Sequence, residues 1–176
     1  MLGIWYYETY VPGTLYLQVF RSGPWVPDPD CSTCAWGADP TILQIYVNFS
    51  RIDLHSAGDS SQTGWRNVMG STGLTRLDYS TSRWSARMLP GIFDSVRLNV
   101  SSVWINIQNV GNVSYSMAGG GFVPPFDRGV ELRVQPGQYP HMWVSLTFLS
   151  SEIKARNGPL HVSAYAVPVF GNGAYP

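Results

Sequence analysis

Charge is what this sequence has least of. Only 12% of its 176 residues are Asp, Glu, Lys or Arg, about half the share of roughly 25% usual in soluble domains. The 11 basic and 11 acidic side chains cancel, so no basic stripe exists to displace counterions from phosphates, which argues against a nucleic-acid partner. Lysine is nearly missing, with Lys154 alone against ten Arg. Arg favours bidentate ion pairs, but codon usage in a GC-rich genome gives the same skew and is the simpler account. The Glu, Lys and Ala surplus of a coiled coil or helix bundle is also lacking. No apolar run reaches the ~18 residues of a spanning helix. Met1 to Glu8 carries neither a basic start nor a small-residue cleavage site, so the expectation is an unprocessed product.

Catalytic signatures are missing as well. There is no G-x-S-x-G elbow, no H-x-H pair, and no phosphate-binding glycine loop, since Gly119-Gly120-Gly121 has no Lys and helix after it. His55, His141 and His161 are scattered singly, without a local partner for a triad. Of the carboxylates, Glu131 reads as a solvated strand position, and no pair can be placed at a glycosidase separation from sequence. The expectation is a protein without catalytic residues, cofactor or metal. Cysteine is limited to Cys31 and Cys34. A redox C-x-x-C needs a strand before it and a helix after it, and a zinc site needs more ligands nearby. In this Pro-rich loop the structural readings lead: a local disulfide or two reduced thiols.

What is present is a core and a great deal of turn chemistry. Hydrophobic residues make up 44% and aromatics 14%, with 7 Trp and 10 Tyr, enough to exclude disorder at this low charge. The length fits one domain, 1–176. Apolar residues alternate with period two: Leu43, Ile45, Val47 and Phe49; Met142, Val144, Leu146 and Phe148; Val130, Leu132 and Val134; Leu15, Leu17 and Val19. Leu160 to Phe170 is apolar on both faces, as for a strand covered on two sides. Between Val96 and Val110 the buried parity switches from even (Leu98, Val100) to odd (Val103, Ile105, Ile107), so Ser101-Ser102 must hold a bulge, bend or break. Segments 113–117 and 74–79 are weaker strands, and 81–89 is the one helix expected, stopped by Pro90-Gly91. Two connections are long, Arg21 to Pro40 and Ser56 to Gly73.

About eight short strands with long loops predict an all-β fold, a single jelly-roll sandwich or barrel of antiparallel strands. Trp5, Trp104 and Trp143 fall in strands as core or sheet-face residues. Trp25, Trp36, Trp65 and Trp84 fall outside them, either folded over a barrel end or exposed as anchors for a protein or sugar. Phe122, Pro124, Pro125 and Phe126 form a rigid apolar loop of the same kind. The N-x-S sequons at Asn48, Asn99 and Asn112 read as chance.

Taken over its whole length, the chain resembles the small single jelly-roll major capsid proteins of tailless, internal-membrane-containing icosahedral bacteriophages of Thermus. The likeness rests on size, strand number, scarce Lys, and Trp- and Pro-rich loops, and on no single motif. Haloarchaeal relatives are expected to be strongly acidic, so this neutral chain fits the thermophilic branch. The resemblance implies a virion protein that self-associates into dimers or larger capsomers. It also implies packing beside a second, larger capsid protein over the internal membrane. A near-zero net charge, a solubility risk for a free protein, suits a surface covered by neighbours. The residues expected at subunit contacts are Trp25, Trp36, Phe122, Pro124, Pro125 and Phe126. The rival expectation is a β-sandwich carbohydrate-binding module or lectin that uses exposed loop Trp residues.

Overall fold

The computed structural model describes residues 10–21, 25–26, 37–60, 62–77, 82–124, 126 and 129–169. Two sheets share one hydrophobic cluster. The class read from the sequence holds: the chain is an all-β sandwich of antiparallel-rich sheets, consistent with a jelly roll. The strands are β1 (Gly13–Arg21), β2 (Trp25–Val26), β3 (Gly37–Ala38), β4 (Ile42–Ser56), β5 (Trp65–Met69), β6 (Leu74–Leu77), β7 (Ser82–Met88), β8 (Gly91–Ile107), β9 (Gly111–Tyr115), β10 (Gly121–Phe122), β11 (Leu132–Val134), β12 (His141–Phe148) and β13 (Val162–Val169). A helix, α1 (Ser150–Ala155), joins the last two.

One sheet has four strands in the order β13-β12-β1-β7. Its pairs are antiparallel except β1 with β12, which run parallel from Tyr16 opposite His141 to Arg21 opposite Leu146. The other sheet has seven strands built on the long pair β4 and β8. β5 and β6 flank β4, while β9, β10 and β11 line the far side of β8. β2 and β3 form a separate two-stranded ladder.

The parity switch near Ser101 is a β-bulge, and it is matched by a second one. Asn48 pairs with Ser102 and Phe49 with Val100, so Ser101 is extra on β8. Arg51 then pairs with Asn99, so Ser50 is extra on β4. Both strands change their buried side at this point: Val47 and Phe49 give way to Ile52 and Leu54, and Val103 and Ile105 to Val100 and Leu98. The two insertions cancel in register, which lets strands of 15 and 17 residues stay paired while they bend. Serine suits both places because its hydroxyl serves backbone left over at the bulge. Ser101 Oγ donates to the Asn48 carbonyl at 3.1 Å and Ser50 Oγ to that of Asn99 at 3.3 Å.

Four expectations need correction. Residues 81–89 contribute a strand, β7, and not a helix. Trp84, Ala86 and Met88 alternate with exposed Arg83, Ser85 and Arg87, and burial of the Trp84 and Met88 side chains overrides local helix propensity. The connection from Ser56 to Gly73 contains β5. β13 is an edge strand with Ser163 and Tyr165 exposed, not one covered on both faces. The helix that does form, α1, has Glu152 in its first turn and Lys154 in its last, which complements its dipole.

Tight spots explain two glycines. A Cβ on Gly13 would lie 2.7 Å from the Gln135 carbonyl oxygen, and one on Gly121 would strike the Leu98 carbonyl. Ala118–Gly120 form a 3-10 turn that feeds the short β10 ladder at Gly121.

Helix α1 is fixed to the sandwich at three points. Ile153 is buried, the Tyr115 hydroxyl donates to the Ile153 carbonyl at 2.6 Å, and Lys154 Nζ lies 2.7 Å from Asp39 Oδ2. Burial alone would raise the Asp39 carboxyl, but Lys154 and two bonds from Thr41 outweigh it and hold it at about 2. Tyr115→Phe strands a buried carbonyl and is expected to cost ~1–2 kcal/mol, read from urea midpoints at constant m-value. An unchanged midpoint would show that water replaces the hydroxyl.

Candidate functional site: two outward sheet faces

Alternation sorts the four-stranded sheet into a core side and an outward side. The outward side carries Tyr16, Gln18 and Phe20 from β1, and His141, Trp143, Ser145 and Thr147 from β12. Ser163, Tyr165 and Val167 follow on β13, and Arg83, Ser85 and Arg87 on β7. Tyr16 stacks on His141 with ring centroids 5.0 Å apart and 17° between planes, and Tyr139 tilts against Tyr16 at 6.3 Å. Phe20 meets Trp143 edge to face at 6.4 Å. Tyr16, Tyr139 and Tyr165 remain 39%, 61% and 48% exposed. None of the outward positions named here is acidic. Aromatics with Arg and without Asp or Glu are the composition enriched at the centres of protein interfaces.

The outward face of the seven-stranded sheet differs in chemistry. Tyr46 lies opposite Trp104 across β4 and β8, and Ser114 of β9 and Arg76 of β6 extend this row. Gln44, Asn106 and Asn112 form the row on one side, and Asn48 with Ser102 the row on the other. The Tyr46 hydroxyl donates to Gln44 Oε1 at 2.7 Å, and Trp104 is 40% exposed.

Further along the same face lies a compact charged cluster. Asp53 has a fully covered side chain, held by Arg97 Nη2 at 2.8 Å, Arg97 Nε at 3.1 Å, Asn67 Nδ2 at 3.2 Å and Arg51. Burial pushes its carboxyl up, but the bonds from Arg51, Arg97 and Asn67 win and hold it below the ordinary value. The Arg97 guanidinium also sits 4.3 Å above the Trp65 ring, whose centroid is 5.0 Å from that of His55. His55 and Asp94 are 2.8 Å apart, the spacing of a catalytic dyad. The second ring nitrogen of His55 is bonded to the Ser60 carbonyl at 2.8 Å. Both ring nitrogens are therefore engaged by protein oxygens, and with His55 only 5% exposed neither faces solvent in this arrangement.

Among the described residues, those singled out in the sequence are not gathered into one exposed site. Phe126 belongs to the core, Pro124 is buried, and Phe122 packs half-buried against the core. These three are held by the sandwich itself instead of standing out as anchors, because the loop returns along β8 and touches β13 at Ala166. Val123 is the exposed apolar side chain of that loop. Trp25 lies in β2, with its side chain outside the description. Cys31, Cys34, Trp36 and Pro125 lie outside the described residues. Trp84 joins the core edge-on to Phe49, and Trp65 lies beneath Arg97.

Sequence reasoning missed the tyrosines. Tyr16 and Tyr165 fall on the polar phase of alternating strands, and an aromatic at an outward position was the available signal. The sequons Asn48 and Asn99 have structural work: Ser71 Oγ donates to Asn48 Oδ1 at 3.2 Å, and Asn99 Nδ2 donates to the Arg51 carbonyl at 3.4 Å. Among the described residues no group of three His, Cys, Asp or Glu could hold a metal ion, and no helix is long and apolar enough to cross a membrane. The sequence matches no family model and no curated protein.

Proposed function

We propose that this chain is a structural virion protein, a capsid subunit. It packs against copies of itself and a second, larger capsid protein in an icosahedral shell over an internal membrane. The observation that carries the reading is the outward face of the four-stranded sheet, where exposed tyrosines, half-buried Trp143 and two arginines stand without an acidic residue. Tyr16 stacks on His141 and Phe20 edges into Trp143, leaving apolar relief suited to a protein surface. Low charge reduces repulsion between copies, and rigid sheets present the same patch on every subunit.

Sedimentation velocity at rising concentration tests it. Reversible association is expected, weakened about tenfold or more when Tyr16, Trp143 and Tyr165 are all replaced by Ser, a change of ~1.4 kcal/mol or more. A strict monomer up to the solubility limit sinks the reading.

A second reading, a carbohydrate-binding module, has one observation in its favour: the Tyr46–Trp104 row flanked by Gln44, Asn106, Asn112 and Asn48. Rings stack on sugar C–H faces and amides meet hydroxyls. Tryptophan fluorescence that shifts with a neutral polysaccharide, and stops shifting in Trp104→Ala, would favour it over the first.

A further inference from the structure

His55 lies on the outward side of β4 but is only 5% exposed. Its Nδ1 is 2.8 Å from Asp94 Oδ1 and its Nε2 is 2.8 Å from the Ser60 carbonyl oxygen. A backbone carbonyl has no proton to give, and an ionised carboxylate has none either. A neutral imidazole has one N–H, so it can satisfy one of these oxygens and must turn a lone pair toward the other. Only the doubly protonated ring makes both bonds.

The two bonds reach different parts of the molecule. Asp94 is on β8, beside His55 in the same sheet. Ser60 is in the connection from β4 to β5, residues 57–64. That loop is also tied by Ser56 N to the Gly64 carbonyl, Ala57 N to the Ile92 carbonyl and Asp59 N to the Ser56 carbonyl. Within it, Thr63 N donates to the Ser60 carbonyl, and the Ser60 and Thr63 hydroxyls are 2.6 Å apart. Ser60 and Thr63 are thus bonded to each other, and the side chain that links Ser60 to the sheet is His55.

We propose that His55 is a proton-operated latch that holds Ser60 of the β4–β5 connection against the sheet while its ring is charged and releases it when the ring loses a proton. The bond to Asp94 is the one retained, because a carboxylate is the stronger acceptor. The charged groups near the ring are Asp94, bonded to it from β8, Arg97 of β8 over Trp65, Asp53 two residues along β4, and Asp59 in the loop, whose side chain lies against Gly64. Arg97 is committed to Asp53, and from β5 the ring meets uncharged Trp65, while Arg66 lies over Phe93. The bond to Ser60 first, and that to Asp94 second, raise the His55 value above 6.5, against the opposing effect of burial. The contribution to stability is therefore complete below pH 6.5 and disappears as pH rises through the folded value.

The test is an NMR titration of the full chain, following the His55 ring nitrogens and the backbone amides of Ser60 and Thr63 together. The expected result is a midpoint above 6.5, with the Ser60 and Thr63 amides shifting at that midpoint. Asp94→Asn, at a partly exposed acid and close in shape to the original, lowers the midpoint and moves the loop transition with it. In His55→Gln the loop amides lose that transition. A ring that is neutral at pH 6, or loop amides that ignore its titration in the unaltered chain, overturns the latch.

Discussion

Phe49→Ala is expected to lower the unfolding free energy by ~3–5 kcal/mol, a large part of the ~5–15 kcal/mol a domain possesses. Phe49 is completely buried, meets Trp84 edge-on at 5.9 Å, and stands between the two bulge residues. The main chain on either side is committed to the irregular register, so the space cannot be closed by sliding a strand. Urea unfolding measures the loss, with Leu43→Ala, at an exposed position on the same strand, as the control expected within ~0.5 kcal/mol. A loss under ~1 kcal/mol for Phe49→Ala would mean that neighbours refill the cavity and that the bulges do not hold the core rigid.

Arg97→Met comes next, at ~3 kcal/mol near neutral pH, the lower end for breaking a buried ion pair by removing one partner. It leaves the Asp53 carboxylate fully covered with Arg51 and Asn67 as its remaining partners. The pH dependence identifies the cause. Asp53 lies below its ordinary 3.8, so its contribution is present above that value and is lost as pH falls through the folded one. The gap between the two proteins is therefore full at pH 7 and narrows in acid, where the carboxyl is protonated in both. Asp39, held at about 2 by Lys154, should titrate unchanged in the variant. Repeating the substitution in Asp53→Asn completes a double-mutant cycle. An identical loss at pH 7 and pH 3, in both backgrounds, would assign the whole effect to packing of Arg97 on Trp65.

The strands were legible wherever one face meets water and the other the core. Leu15, Leu17 and Val19, and Met142, Val144, Leu146 and Phe148, are buried as their alternation required. The parity break at Ser101 was also readable, because a change of buried side leaves a mark in the sequence. Its counterpart at Ser50 was readable by the same rule, since Phe49 gives way to Ile52 and Leu54, but it needed a window longer than the one strand. β7 was hidden by Ala, Arg and Met, residues at home in helices, although its alternation of Arg with Trp and Met was visible. The candidate faces were harder to read. Which aromatics stand together depends on strand order, and the pairing of β1 with β12 cannot be inferred from residues so far apart in the chain.

That strand order also governs how the sandwich must be assembled in time. The seven-stranded sheet is drawn wholly from residues 42–134 and spans no more than the separation of Ile42 from Ile107 in its pairings, whereas the four-stranded sheet must bring Tyr16 to His141 across most of the chain. Loop-closure entropy delays such distant pairings. On a ribosome, β1 emerges well before β12 and must wait for it. Until then the core side of the larger sheet, with Phe49, Phe93 and Leu98, has only part of its cover, and chains crowded together in that interval are open to aggregation or to exchanging β1 between copies.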